Sequence, residues 1–246
     1  MTRPGFEEQW RRRFVERGQR FQDDAEIAGW TASGLDTRLR NFQRLWPGDV
    51  PGSLWLDAGC GAGSYTRYLS EQGVSAIGLD YSLPSLQKAC VRNSLNNTPW
   101  AVGDVTQLPI ESSALDGIIC FGVMQALSRP ERAVSEMVRV VKPGGQIWVD
   151  VLNRNCLHTL AKRAQARLRR RSLNLRYDRV SQFGAWLEAA GAMDVQVHWV
   201  PIVPTQWHRL QWGVETRSAR KLFHALPWLG SLASHAVLLS ARKPSE

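Results

Sequence analysis

The chain lacks a Cys-x-x-Cys pair, a run of eighteen apolar residues, an internal repeat and a low-complexity tract. Its four cysteines, Cys60, Cys90, Cys120 and Cys156, stand thirty or more residues apart. That spacing excludes a zinc knuckle and a redox dithiol, fits small buried residues in a reducing compartment, and gives no reason to expect a metal. Without a long apolar run, no membrane-spanning helix is expected. The opening MTRPGFEEQWRRR carries no apolar stretch of signal-peptide length, so the expected location is cytoplasmic, with the inner membrane face as a candidate surface to lie against.

What is present is ordinary for a globular chain: 246 residues, 43% hydrophobic and 22% charged. The net charge of +9 is concentrated. Between Arg154 and Arg179 nine basic residues (Arg154, Lys162, Arg163, Arg167, Arg169, Arg170, Arg171, Arg176, Arg179) face one acid, Asp178. The remainder is almost neutral, so a local patch needs explaining rather than a basic protein.

The first 45 residues read as helices, with Phe6, Trp10 and Phe14 on one face and Leu35, Leu39, Phe42 and Leu45 on another. Trp46-Pro-Gly-Asp-Val-Pro-Gly52 breaks the pattern. From there short apolar strands alternate with helices: strands at Ser53–Ala58, Ser75–Leu79, Trp100–Val102, Leu115–Phe121 and Gln146–Leu152. Ser82 is placed to cap one helix, and Pro130 opens another that runs to Val141. This rhythm predicts a parallel sheet covered on both faces. The rhythm then breaks, giving a basic segment, a helix at Val180–Ala190, a strand at Asp194–Val200, a less regular aromatic stretch and a last strand at His235–Ala241. The last two strands, with no long regular helix between them, are suited to antiparallel pairing at the sheet edge.

The chemistry sits at the strand ends. Leu54-Trp-Leu-Asp57-Ala-Gly59-Cys60-Gly61-Ala-Gly63 carries an apolar strand into three alternate glycines and then a helix. Glycines let a ligand approach bare backbone, and the helix behind them presents free N–H groups. A dinucleotide turn wants its third glycine one residue later, where Ser64 stands, and Asp57 would repel a pyrophosphate. The turn suits a cationic, amino-acid-like ligand better than a diphosphate. Asp80 ends the second strand, where an acid can accept a ribose diol. Asp104, just after the third, is placed for an adenine amino group, with the Val105 N–H for a ring nitrogen.

D57-A-G-C-G-A-G63, G78-L-D-Y81, G103-D-V-T-Q-L-P109, L115-D-G-I-I-C-F121 and V141-K-P-G-G-Q-I-W148 together resemble the successive motifs of class I S-adenosylmethionine (SAM)-dependent methyltransferases, most of all the bacterial group containing the ubiquinone and menaquinone biosynthesis enzymes. The resemblance implies an α/β, Rossmann-like, seven-stranded and mostly parallel sheet, with strand 7 antiparallel between strands 5 and 6. It implies SAM as cofactor, with Asp57, Gly59, Cys60, Gly61 and Gly63 at the methionine part, Asp80 at the ribose, Asp104 and Val105 at the adenine, Phe121 near the methionine, and Tyr81 among the cofactor-binding residues. Many relatives carry a histidine pair in the turn after strand 4; here that turn is Gly122-Val-Met-Gln-Ala-Leu127, and Gln125 cannot act as a base. No catalytic base is identified; His158, just after strand 5, is the candidate.

The expected organisation is a helical lid over residues 1–50 and a SAM-binding domain over 51–246, with a basic helical insertion at 153–179 and an aromatic lid segment at 201–230. Leu157, Leu160, Ala161, Ala164 and Leu168 form an apolar helical stripe among the basic residues. Its readings are a solvated face over the active site, contact with an anionic membrane surface, or binding of an acidic substrate. With no interleaved aromatics and no RNA-binding motif, nucleic acid is not expected as a partner. Trp199, Trp207, Trp212, Phe223 and Trp228 shape an acceptor pocket, pack a lid or sit at a lipid boundary. The function expected is in-line methyl transfer to a small or lipid-linked acceptor; the alternatives are an NAD-dependent oxidoreductase and a SAM-binding module without turnover.

Overall fold

The computed structural model describes residues 5–93, 98–170, 175–203, 209 and 211–245. Arg171, Trp207 and His208 therefore lie outside the described residues.

Seven strands form one sheet in the order β3-β2-β1-β4-β5-β7-β6. They are β1 (Leu54–Ala58), β2 (Ser75–Asp80), β3 (Trp100–Val102), β4 (Leu115–Cys120), β5 (Val141–Leu152), β6 (Met193–Val200) and β7 (Ala236–Arg242). The first five are parallel, and β7 runs antiparallel between β5 and β6. β5 starts earlier than Gln146 because the Lys142-Pro-Gly-Gly145 turn stays within the strand, at the cost of a register shift against Leu115 and Gly117.

Helices cover both faces, as continuous apolar strands require. On one face, α6 (Pro130–Val140) and α8 (Val180–Ala189) bring Val134, Met137, Phe183 and Leu187 onto Ile118, Val149 and Leu239. On the other lie α3 (Ala32–Leu45) and α4 (Ser64–Glu71). Phe42 of α3 is fully buried there, its ring edge-on to Tyr65, Phe121 and Trp148. A ring buried this completely contributes about 3–5 kcal/mol against truncation to alanine. The N-terminal helices thus divide their work: α3 is core, while α1 (Phe6–Arg20) and α2 (Asp24–Ala28) reach the strand ends.

Caps fix the helix starts. Asp23 accepts from the N–H groups of Ala25 and Glu26, Thr31 from Gly34, and Ser82 from Ser85 at the start of α5 (Leu83–Arg92). The basic segment forms α7 (Leu157–Leu168). The stretch after β6, expected to be irregular, is helical over α9 (Gln211–Val214), α10 (Arg217–Ala225) and α11 (Pro227–Ala233). α9 and α11 are too short for a periodic signal; Thr216 caps α10 and Pro227 opens α11. No described helix is long and apolar enough to cross a membrane.

Candidate active site

Parallel pairing brings the carboxyl ends of β1, β2 and β3 level, with Asp57 opposite Gly78 and Asp80 opposite Val102. Above them opens a cleft of about 970 Å³, counting its part open to solvent.

Of the residues singled out in the sequence, Gly59, Cys60, Gly61, Asp80, Tyr81, Asp104, Val105 and Phe121 line this cleft together. Asp57 and Gly63 do not. Asp57 is buried beneath the glycine turn, where it accepts from the Thr66 hydroxyl of α4 at 2.6 Å. Burial pushes its carboxyl up to about 7, helped by the charge of Asp80 and opposed by the Thr66 hydrogen bond. Gly63 caps α4 at φ +85°, and a Cβ there would stand 2.7 Å from the Trp100 ring.

The glycine turn is shaped for backbone contact. Gly59, at φ +84°, has no room for a side chain, since its Cβ would meet Val123 at 2.2 Å. Gly61, at φ +55°, has nothing within 4 Å of a Cβ position. The turn is tied to β2 because the Gly61 N–H donates to Asp80 at 2.8 Å, and the Ser82 N–H donates to the other Asp80 oxygen at 2.7 Å. Burial raises the Asp80 carboxyl, and these N–H groups oppose it.

Asp104 is more engaged than its sequence position suggests. One oxygen accepts from the Thr106 N–H and hydroxyl, and the other is paired with Arg11 of α1. Burial alone would raise this carboxyl, but the Thr106 hydrogen bonds and the Arg11 charge hold it below its ordinary value. Arg11 also lies over the Tyr81 ring, 4.4 Å from its centroid, and donates to Glu7, which in turn accepts from the Ser128 N–H.

The N-terminal segment forms the cleft's roof through Glu7, Trp10, Arg11 and Phe14 of α1, Asp24 of α2, and Trp30 in the connection from α2 to α3. Of these, sequence reasoning singled out Trp10 and Phe14 and missed Trp30 and the polar ones. The Glu7–Arg11 spacing of one helical turn was a visible signal. Nothing local separates Asp24 from Asp23, yet Asp23 caps α2 while Asp24 accepts from Ser64 and pairs with Arg67 and Arg92.

His158 is not brought to the cleft. It is exposed on α7, edge-on to His235 at 5.4 Å, and partial burial and Lys162 lower its pKa. The chain leaves β5 at Asn153, whose side chain ties it to Ser231 and Ser234, so α7 starts beside α11 rather than over the cleft. Gln125 is buried and donates to the Gly122 carbonyl.

Residues 56–149 match the methyltransferase domain family. The chain is 34% identical over 103 residues to demethylmenaquinone methyltransferase of Renibacterium salmoninarum, covering 42% of each chain. It is 39% identical over 117 residues to the probable tRNA methyltransferase 9B of Mus musculus, covering 46% of this chain and 24% of that one. The chain thus spans less than half the length of the curated relatives it matches. Among solved structures, phosphoethanolamine N-methyltransferase 2 of Haemonchus contortus with bound S-adenosyl-L-methionine superposes with a TM-score of 0.67 at 19% identity, over 95% of this chain and 60% of that one.

The mouse relative corrects one expectation. Nucleic acid was set aside as a partner for want of an RNA-binding motif, but a chain similar to a probable tRNA methyltransferase cannot be read that way. The cofactor-binding strands carry no sign of the acceptor, so their motifs neither admit nor exclude RNA. The menaquinone-type group is likewise not singled out: the chain has the class I SAM-dependent methyltransferase fold, related to several methyltransferase families rather than to one.

Proposed function

We propose that this chain binds SAM in the cleft and transfers its methyl group to a small or lipid-linked acceptor, as a cytoplasmic enzyme. The observation that carries the reading is the glycine turn at the end of β1: closed to a side chain at Gly59, open above Gly61, and tied by the Gly61 N–H to Asp80. A ligand there meets bare peptide and the acids that end β2 and β3. That fits an adenosyl group carrying an amino acid.

SAM supplies a methyl already made electrophilic by its sulfonium. The residues do the rest. Asp80 accepts the ribose hydroxyls, while Asp104 and the Val105 N–H read the adenine edge. The Gly59–Gly63 backbone, with Asp57 beneath it, favours the positive amino-acid end, and Phe121 closes that side. The roof formed by Trp10, Phe14 and Trp30 excludes water. Holding an acceptor in line can supply roughly 7–11 kcal/mol of barrier reduction. An acceptor that arrives as an anion or a free amine needs no base.

An NAD-dependent oxidoreductase fits less well. Ser64, standing where a dinucleotide turn has its third glycine, donates to Asp24, which places a further carboxylate where a pyrophosphate would lie. Calorimetry with S-adenosylhomocysteine (SAH) and NADH separates the two: SAH binds and NADH does not, and the reverse overturns the proposal. Incubation with SAM and cell extract, followed by mass spectrometry, then distinguishes turnover from binding alone.

A further inference from the structure

Helix α7 faces the wrong way for a soluble helix. An amphipathic helix in a globular protein turns its apolar stripe to the core. In α7 the buried residue is Thr159, within 3.3 Å of His235, and Arg163 and Ala166 beside it are half-buried. At 3.6 residues per turn, Leu157, Ala161 and Leu168 lie on the opposite side, about 160–200° from Thr159, with Ala164 at about 140° and Leu160 on the flank at about 100°. All five are exposed, Leu168 to 86%.

The neighbouring helices share the feature. Asn153 donates to the carbonyls of Ser231 and Ser234, which sets the start of α7 beside the end of α11. Trp228 of α11 is 63% exposed, and Leu222 of α10 is also exposed. Around these apolar groups the charge has one sign. Arg154, Lys162, Arg163, Arg167, Arg169 and Arg170 occur with no acid between residues 154 and 170, and Arg217, Arg220 and Lys221 with none between 216 and 245. Both helices lie at the rim where β5 ends and β7 begins, on the same side of the sheet as the cleft.

We propose that this rim is a docking surface for an anionic lipid bilayer. The leucines of α7 and Trp228 enter the boundary between headgroups and acyl chains, and the surrounding cations face lipid phosphates. Cations alone would serve RNA equally well. Trp228 would serve either, and the leucine stripe favours the bilayer, because leucine gives no stacking platform for a base but gains by leaving water for lipid. The proposal does not depend on the assigned reaction.

Sedimentation of the full chain with phosphatidylcholine vesicles, with and without phosphatidylglycerol, tests it. Binding is expected only to the anionic vesicles, weakening steeply as salt rises from about 0.1 M to about 0.5 M. The variant Leu157→Ser/Leu168→Ser alters exposed residues and leaves the charge unchanged. It should bind anionic vesicles on the order of tenfold or more weakly, with SAH affinity and melting temperature as in the parent chain. Absence of binding to anionic vesicles, equal binding to both vesicle types, or full binding by the leucine variant overturns the proposal. So does displacement from anionic vesicles by unfractionated tRNA that the leucine variant binds as well as the parent chain, which would assign the surface to nucleic acid.

Discussion

Arg11 and Asp104 are paired across the cleft, although they stand ninety-three residues apart in sequence. The guanidinium comes from the roof helix α1, and the carboxylate from the turn after β3 that is proposed to read adenine. Thr106 fixes the other carboxylate oxygen, so Asp104 holds the roof with one oxygen and its own turn with the other. Arg11 therefore closes the end of the cleft formed by that turn.

Arg11→Ala should release a bound adenosyl ligand faster. Both partners are about a quarter to a third exposed, so the pair contributes about 0.5–1 kcal/mol, or a two- to fivefold faster dissociation of SAH. Stopped-flow tryptophan fluorescence reads this directly. Unchanged or slower release would mean that the roof is not held at Arg11.

Gly59 and Gly61 should respond differently to alanine. At Gly59 the new methyl meets Val123 at 2.2 Å on a left-handed backbone, so the variant loses stability as well as binding. At Gly61 the left-handed strain costs about 1–2 kcal/mol, but no protein atom is struck. The methyl stands instead where a ligand would lie. Calorimetry should show SAH affinity down more than tenfold in Gly61→Ala, with only a modest fall in melting temperature. Retained affinity would remove the turn from the site.

The strands and their terminal residues were legible because each signal is local. A strand buried on both faces is a continuous apolar run, and a ligand turn at its end needs glycine or an acid at a fixed offset. The roof was only partly legible. Trp10 and Phe14 show their helical spacing, but the partners of Arg11 and Asp24 come from distant segments that no local pattern joins. The α7 stripe was visible while its direction was not: periodicity gives a helix two faces and does not say which one meets the protein. His158 shows the same limit: its position after β5 is readable from the sequence, but not that α7 carries it to the rim rather than into the cleft lining.

His158→Ala should leave SAH binding and the yield of methylated product from extract unchanged. The imidazole is exposed on α7, outside the cleft lining. A drop of tenfold or more in product, without loss of fold, would return it to the reaction.

Arg38 and Asp150 form a buried pair between α3 and β5, 3.4 Å apart, with 5% and 1% of their side chains exposed. Asp150 also accepts from the Gly122 N–H, which fixes the turn lining the cleft after β4. Arg38→Met strands a buried carboxylate and should cost about 3–5 kcal/mol by urea denaturation. Adding Asp150→Asn removes the stranded charge while keeping an acceptor for Gly122, and should recover part of that loss. No recovery would show that the guanidinium acts by packing on Trp30, which it covers at 4.3 Å.

Asp57 links stability to pH. Its carboxyl is pushed up from 3.8 to about 7, chiefly by burial, so between those values the folded chain holds a proton that the unfolded chain has released. Folding then takes up a proton, and stability falls as pH rises through that window, with the full penalty present above about 7. Asp57→Asn keeps an oxygen for the Thr66 hydroxyl and carries no charge. Thermal unfolding should find the variant close to the parent chain at the acid end of the window and more stable above it. A cationic ligand favours the ionised carboxylate, so the parent chain's affinity for SAM should rise through the same window. SAH, which lacks the sulfonium charge, should gain less, and the variant should show neither rise. A variant less stable than the parent chain on the alkaline side would mean that the Thr66 hydrogen bond outweighs the burial of the charge.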